Sequence, residues 1–119
     1  VHELAICQAL VEQVEQLARE QRAQRVALVE VAIGPLSGVE PQLLAQAYPV
    51  AAAGSLAEGA QLQLVASPVR VHCDRCQRDS EASVNRLVCG HCGHWQTALL
   101  SGDELLLTRV EVFREQAYV

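Results

Sequence analysis

Four of the five cysteines in this chain fall in one window, Cys73-Asp-Arg-Cys76 and, after twelve residues, Cys89-Gly-His-Cys92. Two Cys-x2-Cys knuckles at that separation bring four thiolates onto one tetrahedral ion, the ligand set of a structural zinc ribbon. Gly90 and Gly93 stand where such a knuckle turns its backbone toward the sulfurs. Four thiolates close the coordination sphere and leave no position for a reactive water, so Zn2+ here is read as structural and a hydrolytic metal centre is not expected. His72, His91 and His94 flank the knuckles, and the sequence leaves open whether they are solvated, support the ligands or replace one of them. The fifth cysteine, Cys7, lies in an apolar helical stripe and is read as packing.

The chain start holds a second set of donors. A free amine at Val1, the backbone nitrogen and imidazole of His2, and the backbone nitrogen or carboxylate of Glu3 can surround one ion, and an N/O set of this kind suits square-planar Ni(II) or Cu(II). A helix opening at once helps, because its first amides have no intrahelical acceptor. From the residues alone, a solvated histidine and a chelate both stand.

These sites need elements to carry them. Apolar residues at Leu4, Cys7, Leu10, Val11, Val14, Leu17 and Ala18 predict a helix over residues 3 to about 22. Val26 to Ile33 reads as a largely buried strand ending at Gly34-Pro35. Ser37-Gly-Val-Glu40 has the form of a capping box ahead of Pro41, so a second helix is expected to run toward Ala53, kinked or cut short near Ala45 to Tyr48 by Pro49. Leu62, Leu64 and Ala66 alternate with polar neighbours in a strand that leads into the first knuckle. A last strand, Glu104 to Phe113, should place Leu106, Val110 and Val112 on one face. The expected fold class is α/β: a small three-stranded sheet with two helices, plus an inserted four-cysteine zinc-ribbon domain. Residues 1–69 and 100–119 would form the α/β domain and residues 70–99 the ribbon.

With 119 residues, half of them hydrophobic, the chain can bury one core outside the ribbon. Its formal net charge is −5, and in residues 69–98 four Arg nearly cancel three Asp or Glu. Phosphate binding needs a basic surface, so a nucleic-acid module is not expected, and only Trp95 offers a stacking ring near the knuckles. No signal-peptide pattern or membrane-length apolar run is present, and paired Cys-x2-Cys knuckles suit a reducing compartment. A soluble, cytoplasmic protein is expected. No catalytic constellation stands out, which argues against an enzyme. A dithiol oxidoreductase using one Cys-x2-Cys would leave the second pair unexplained.

Several separated motifs agree with one known pattern. His2-Glu3-Leu4 with Cys7-Gln8-Ala9-Leu10, Ile33-Gly-Pro-Leu-Ser-Gly-Val-Glu40, Ala57-Glu-Gly-Ala60, the paired knuckles and Ser101-Gly-Asp-Glu-Leu105 together resemble the HypA/HybF family of hydrogenase maturation factors. The resemblance covers residues 2 to about 113. It implies a metallochaperone that delivers nickel to the precursor of the [NiFe]-hydrogenase large subunit, working with the nickel-handling GTPase HypB. It also implies a nickel site at Val1, His2 and Glu3, and a zinc site at Cys73, Cys76, Cys89 and Cys92. Position 1 is Val where the family has Met, which keeps His second. Pro49 also departs from the family pattern.

Overall fold

The computed structural model describes residues 3–114. Elements follow in the order α1 (Glu3–Glu20), β1 (Ala23–Ile33), α2 (Pro41–Ala52), β2 (Gln61–Ala66), β3 (Arg70–Cys73), β4 (Asp79–Glu81), β5 (Thr97–Ser101) and β6 (Leu105–Arg114). They make two three-stranded sheets, β2-β1-β6 and β4-β3-β5. The expected sheet with two helices is present, and the four-cysteine segment is inserted between β2 and β6. The chain divides into two compact units.

The first unit comprises Val1–Val31, Val39–Leu64 and Leu107–Val119. The α1 stripe buries Cys7, Leu10, Val11, Val14 and Ala18, while Leu4 and Leu17 at its margins stay partly exposed. Glu3 in the first turn and Arg19 in the last suit the helix dipole. The helix ends with Arg22 in the left-handed region (φ 54), where its amide bonds back to the Arg19 carbonyl at 3.0 Å. In α2, Leu44, Tyr48 and Ala52 recur at spacing four and are buried where the helix packs on α1. The Cys7 thiol donates to the Leu44 carbonyl at 3.3 Å and is fully buried. Burial, and then the charge of Glu3, push that thiol above its usual range. Cys7 is therefore a core residue. Cys7→Ala should cost about 1–2 kcal/mol of stability by removing a small buried group and its weak bond. Denaturant unfolding followed through the helical signal measures it.

Two details of α2 differ from expectation. The helix starts later than a Ser37 cap would allow: Glu40 is the N-cap, extended at φ −82, ψ 117, with no side-chain cap. The cause is Pro41, whose ring excludes the residue before it from the helical region. Of the two outcomes expected of Pro49, a kink or an early end, the early end is not found: the chain stays helical to Ala52. Proline forfeits one backbone bond there, and the buried stripe on both sides of it keeps the turn in place. Leu56 then ties the segment down, donating its amide to Glu15 Oε2 (3.2 Å) and accepting from the Val26 amide (2.9 Å).

β1 is the central strand of its sheet, which explains why Val26, Val29, Val31 and Ile33 are all buried. Glu30 accepts from the Thr108 hydroxyl of β6 at its carbonyl (3.1 Å) and at Oε2 (3.0 Å). Along β6, Val110 and Val112 are half-buried but Leu106 is 56% exposed, so the three do not share one covered face. The less exposed parity changes between Leu107 and Val110.

The second unit comprises Ala32–Gly38 and Val65–Leu106. The strand from Gln61 does not run unbroken into the first knuckle: it stops at Ala66 and resumes at Arg70, across Ser67-Pro68. Three segments interlock here. The Gly34 amide bonds to the Glu104 carbonyl (2.9 Å), the Leu36 amide to the Gly102 carbonyl (2.7 Å), and the Ser67 amide to the Ile33 carbonyl (2.9 Å). The Glu104 carboxylate accepts from the Ser67 hydroxyl and the Gly102 amide, which hold its pKa below the usual value. Backbones approach so closely that a Cβ on Gly34 would lie 2.1 Å from the Gly102 carbonyl oxygen. Gly34→Ala should destabilise the protein by about 3 kcal/mol or more, because the obstacle is backbone and cannot swing aside. A thermal melt showing no loss in that variant would contradict this packing.

Candidate metal centre

The cysteines are presented by the sheet β4-β3-β5. β3 pairs antiparallel with β4 (Val71 opposite Ser80) and with β5 (Val71 opposite Leu99, Cys73 opposite Thr97). Cys73 is the last residue of β3, so the sheet fixes the first ligand and the following turn fixes the second.

The two knuckles repeat one geometry. In the first, the Gln77 amide bonds to the Cys73 carbonyl (3.0 Å) and the Cys73 amide to the Arg78 carbonyl (2.9 Å). In the second, the Gly93 amide bonds to the Cys89 carbonyl (2.9 Å) and the Cys89 amide to the His94 carbonyl (3.0 Å). The residue after each second cysteine is left-handed, Gln77 at φ 59 and Gly93 at φ 75. Glycine meets that requirement without strain; Gln77 is instead held by its side-chain amide on the Asp74 carbonyl at 2.6 Å. Gly90 serves a different purpose from the expected turn. A Cβ there would come within 3.2 Å of Ser80 Cβ, and its amide donates to Ser80 Oγ at 2.9 Å.

Four sulfurs converge, all within 4.8 Å of one another. Cys73 and Cys92 sulfurs lie 3.6 Å apart, as do those of Cys76 and Cys89. A tetrahedral ion with metal–sulfur bonds of about 2.3 Å requires sulfurs about 3.8 Å apart, so the cage fits such an ion. Backbone amides aim at the first sulfur of each knuckle: Arg75 and Cys76 at Cys73 (both 3.4 Å), His91 (3.3 Å) and Cys92 (3.4 Å) at Cys89. The Cys76 amide, with that of Arg75, lowers the Cys73 pKa. The amides of Cys92 and His91 lower that of Cys89 to about 6. Desolvation and the neighbouring sulfurs push Cys76 up to about 12. Four thiolates at this spacing therefore require a cation among them.

The histidines are engaged elsewhere. His72 Nδ1 lies 2.7 Å from Asp79 Oδ1 and Nε2 lies 3.2 Å from Gln77 Oε1; the Asp79 bond is the main reason its pKa is raised. His91 Nε2 is 3.2 Å from the Asp79 carbonyl and His94 Nε2 is 3.3 Å from Gln96 Oε1. All three brace the loops that carry the cysteines. The contact of His94 with Gln96 is local, two residues apart, but those of His72 and His91 with Asp79 arise only because β4 pairs with β3, which sequence spacing does not show.

At the other expected site, Glu3 is the first residue of α1 and partly exposed. Val1 and His2 lie outside the described residues.

A closed four-sulfur cage on a small sheet, in one chain with a separate helical unit, defines a four-cysteine metal-binding protein of the ribbon class. The HypA family model, described as a hydrogenase/urease nickel incorporation metallochaperone, matches residues 1–112. The chain belongs to this family of nickel metallochaperones and hydrogenase maturation factors. It is 46% identical over 112 residues to the hydrogenase maturation factor HypA of Nitrosospira multiformis, covering 94% of this chain and 97% of that one. Identity to the same factor of Aquifex aeolicus is 37% over 112 residues, again 94% and 97%. The solution structure of the nickel metallochaperone HypA from Helicobacter pylori superposes with a TM-score of 0.73 at 25% identity, covering 97% of this chain and all (100%) of that one.

Proposed function

We propose that this chain carries Ni(II) as cargo and delivers it to the large-subunit precursor of [NiFe]-hydrogenase, in exchange with a HypB-type nickel-handling GTPase. Nickel binds at residues 1–3: the His2 imidazole and backbone nitrogens are the central ligands. Glu3 and, where residue 1 is the first of the chain, the Val1 amine complete the set. Cys73, Cys76, Cys89 and Cys92 hold a structural zinc ion. Residues 1–69 and 100–119 then form the nickel-binding part and residues 70–99 the zinc part. The carrier works in the cytoplasm, where thiols stay reduced, and catalyses no reaction of its own. No helix among the described residues is long and apolar enough to cross a membrane.

The observation that carries this reading is the family match over residues 1–112, which runs through both compact units and includes the His2-Glu3 pair. The cage supports it in a second way. Four sulfurs fill a tetrahedral ion's coordination sphere, so a cargo ion that must be handed on needs donors elsewhere. Helix geometry supports the terminus as that place, because the amides opening α1 have no intrahelical acceptor.

Delivery is tested by transfer. Zinc-loaded, nickel-loaded protein is mixed with the purified GTPase and with the precursor in the presence of a chelator that captures free nickel. Nickel should appear on the recipients faster than from chelated nickel alone. Equal rates with and without this chain would overturn the carrier role.

A further inference from the structure

The four sulfurs are not equivalent, and their inequality runs in pairs. Cys73 and Cys89 are buried and take two backbone amides each, whereas Cys76 is half-buried and Cys92 is exposed. Each contact at 3.6 Å joins one inner sulfur to one outer sulfur across the knuckles: Cys73 with Cys92, Cys76 with Cys89. That is the arrangement of an oxidisable outer thiol with a resolving inner one, present twice.

We propose that the cage is an oxidant-responsive site: hydrogen peroxide oxidises Cys92 first, Cys73 resolves it, and the cage closes into Cys73–Cys92 and then Cys76–Cys89 disulfides with release of its metal. The steps balance. The Cys92 thiolate attacks a peroxide oxygen, the O–O bond breaks, and sulfenic acid and hydroxide form. The Cys73 thiolate then attacks the Cys92 sulfur, an S–S bond forms and a second hydroxide leaves. Sulfur has lost two electrons and peroxide has gained them. An ion stripped of two ligands is released, and the second pair repeats the sequence with a second peroxide. Cys92 goes first because it alone of the four is exposed. The inner sulfurs are shielded by protein and by their amide bonds.

This inference goes beyond nickel carriage, and its test separates it from the zinc assignment. Zinc is first quantified in the reduced full chain; about one ion per chain belongs to the zinc reading and is settled before oxidant is added. Protein is then treated with graded hydrogen peroxide, released zinc is followed with a chromogenic chelator, and disulfides are mapped by mass spectrometry of unreduced peptides. Cys73–Cys92 should appear first, together with zinc release, and Cys76–Cys89 second. Trapping with dimedone during the first phase should label Cys92. Cys92→Ser removes a cage ligand and, like the other ligand variants, should lose its metal and unfold this unit, so the order of oxidation is read in the wild-type chain. Predominance of Cys73–Cys76 and Cys89–Cys92 disulfides would overturn the proposal, as would dimedone on Cys73 or Cys89 ahead of Cys92.

Discussion

Cys76→Ser should yield a protein that does not hold the zinc proposed for the cage, with the cysteine unit unfolded and α1 and α2 still helical. Unit two has little else to hold it: its buried apolar side chains are Ile33, Val69 and Val71, beside the ligands Cys73 and Cys89. Structural zinc contributes on the order of 10–16 kcal/mol in comparable sites, far more than three aliphatic side chains can replace. Unit one, by contrast, buries Cys7, Leu10, Val11, Val14 and Ala18 of α1 together with Leu44, Tyr48 and Ala52 of α2, and this core should form without metal. Zinc quantitation with far-ultraviolet circular dichroism reads both halves at once. Full zinc in the variant would refute the ligand assignment, and loss of the helical signal would refute the independence of unit one.

Removing the imidazole of His2 should have the converse effect. On the proposed site, nickel affinity in His2→Ala should fall by at least about a hundredfold, since the proposed anchoring ligand is removed. Zinc should be untouched, because the two sites share no side chain. If residues 1–3 hold the ion as proposed, their nitrogens must release protons to bind it, so affinity should drop as pH falls and recover as it rises. Copper should compete more tightly at the same donors, following the Irving–Williams order. Isothermal calorimetry at several pH values measures all three. Nickel binding that is flat with pH, or unaltered in the variant, would remove residues 1–3 from the site.

How much of this was legible follows from which signals are local. Cys-x2-Cys spacing is local, and it located all four sulfurs of the cage. The α1 stripe and the β1 run were equally plain, because amphipathic periodicity and unbroken burial are written along the chain. The start of α2 was misread from one residue: the Ser37 to Glu40 pattern fits a capping box, but Pro41 forces Glu40 to be extended, and the cap moves there. β4 was invisible because Asp79-Ser-Glu81 is short and polar and exists only by pairing with β3. Gln77 in a left-handed turn and the contact of Asp79 with His72 are likewise products of tertiary placement. The pairing of sulfurs across the knuckles could not come from spacing either, since spacing favours no pair over another.

The central claim, the proposed nickel carriage at residues 1–3, is met most directly by nickel calorimetry on three zinc-loaded forms of the protein. One has the amine of residue 1 free, one carries His2→Ala, and one has a few residues added ahead of Val1. Nickel should bind tightly and in a 1:1 ratio only to the first, with the yellow absorption band of a square-planar ion. If the extended protein binds nickel as tightly as the first, the amine is not a ligand and the cargo site lies elsewhere.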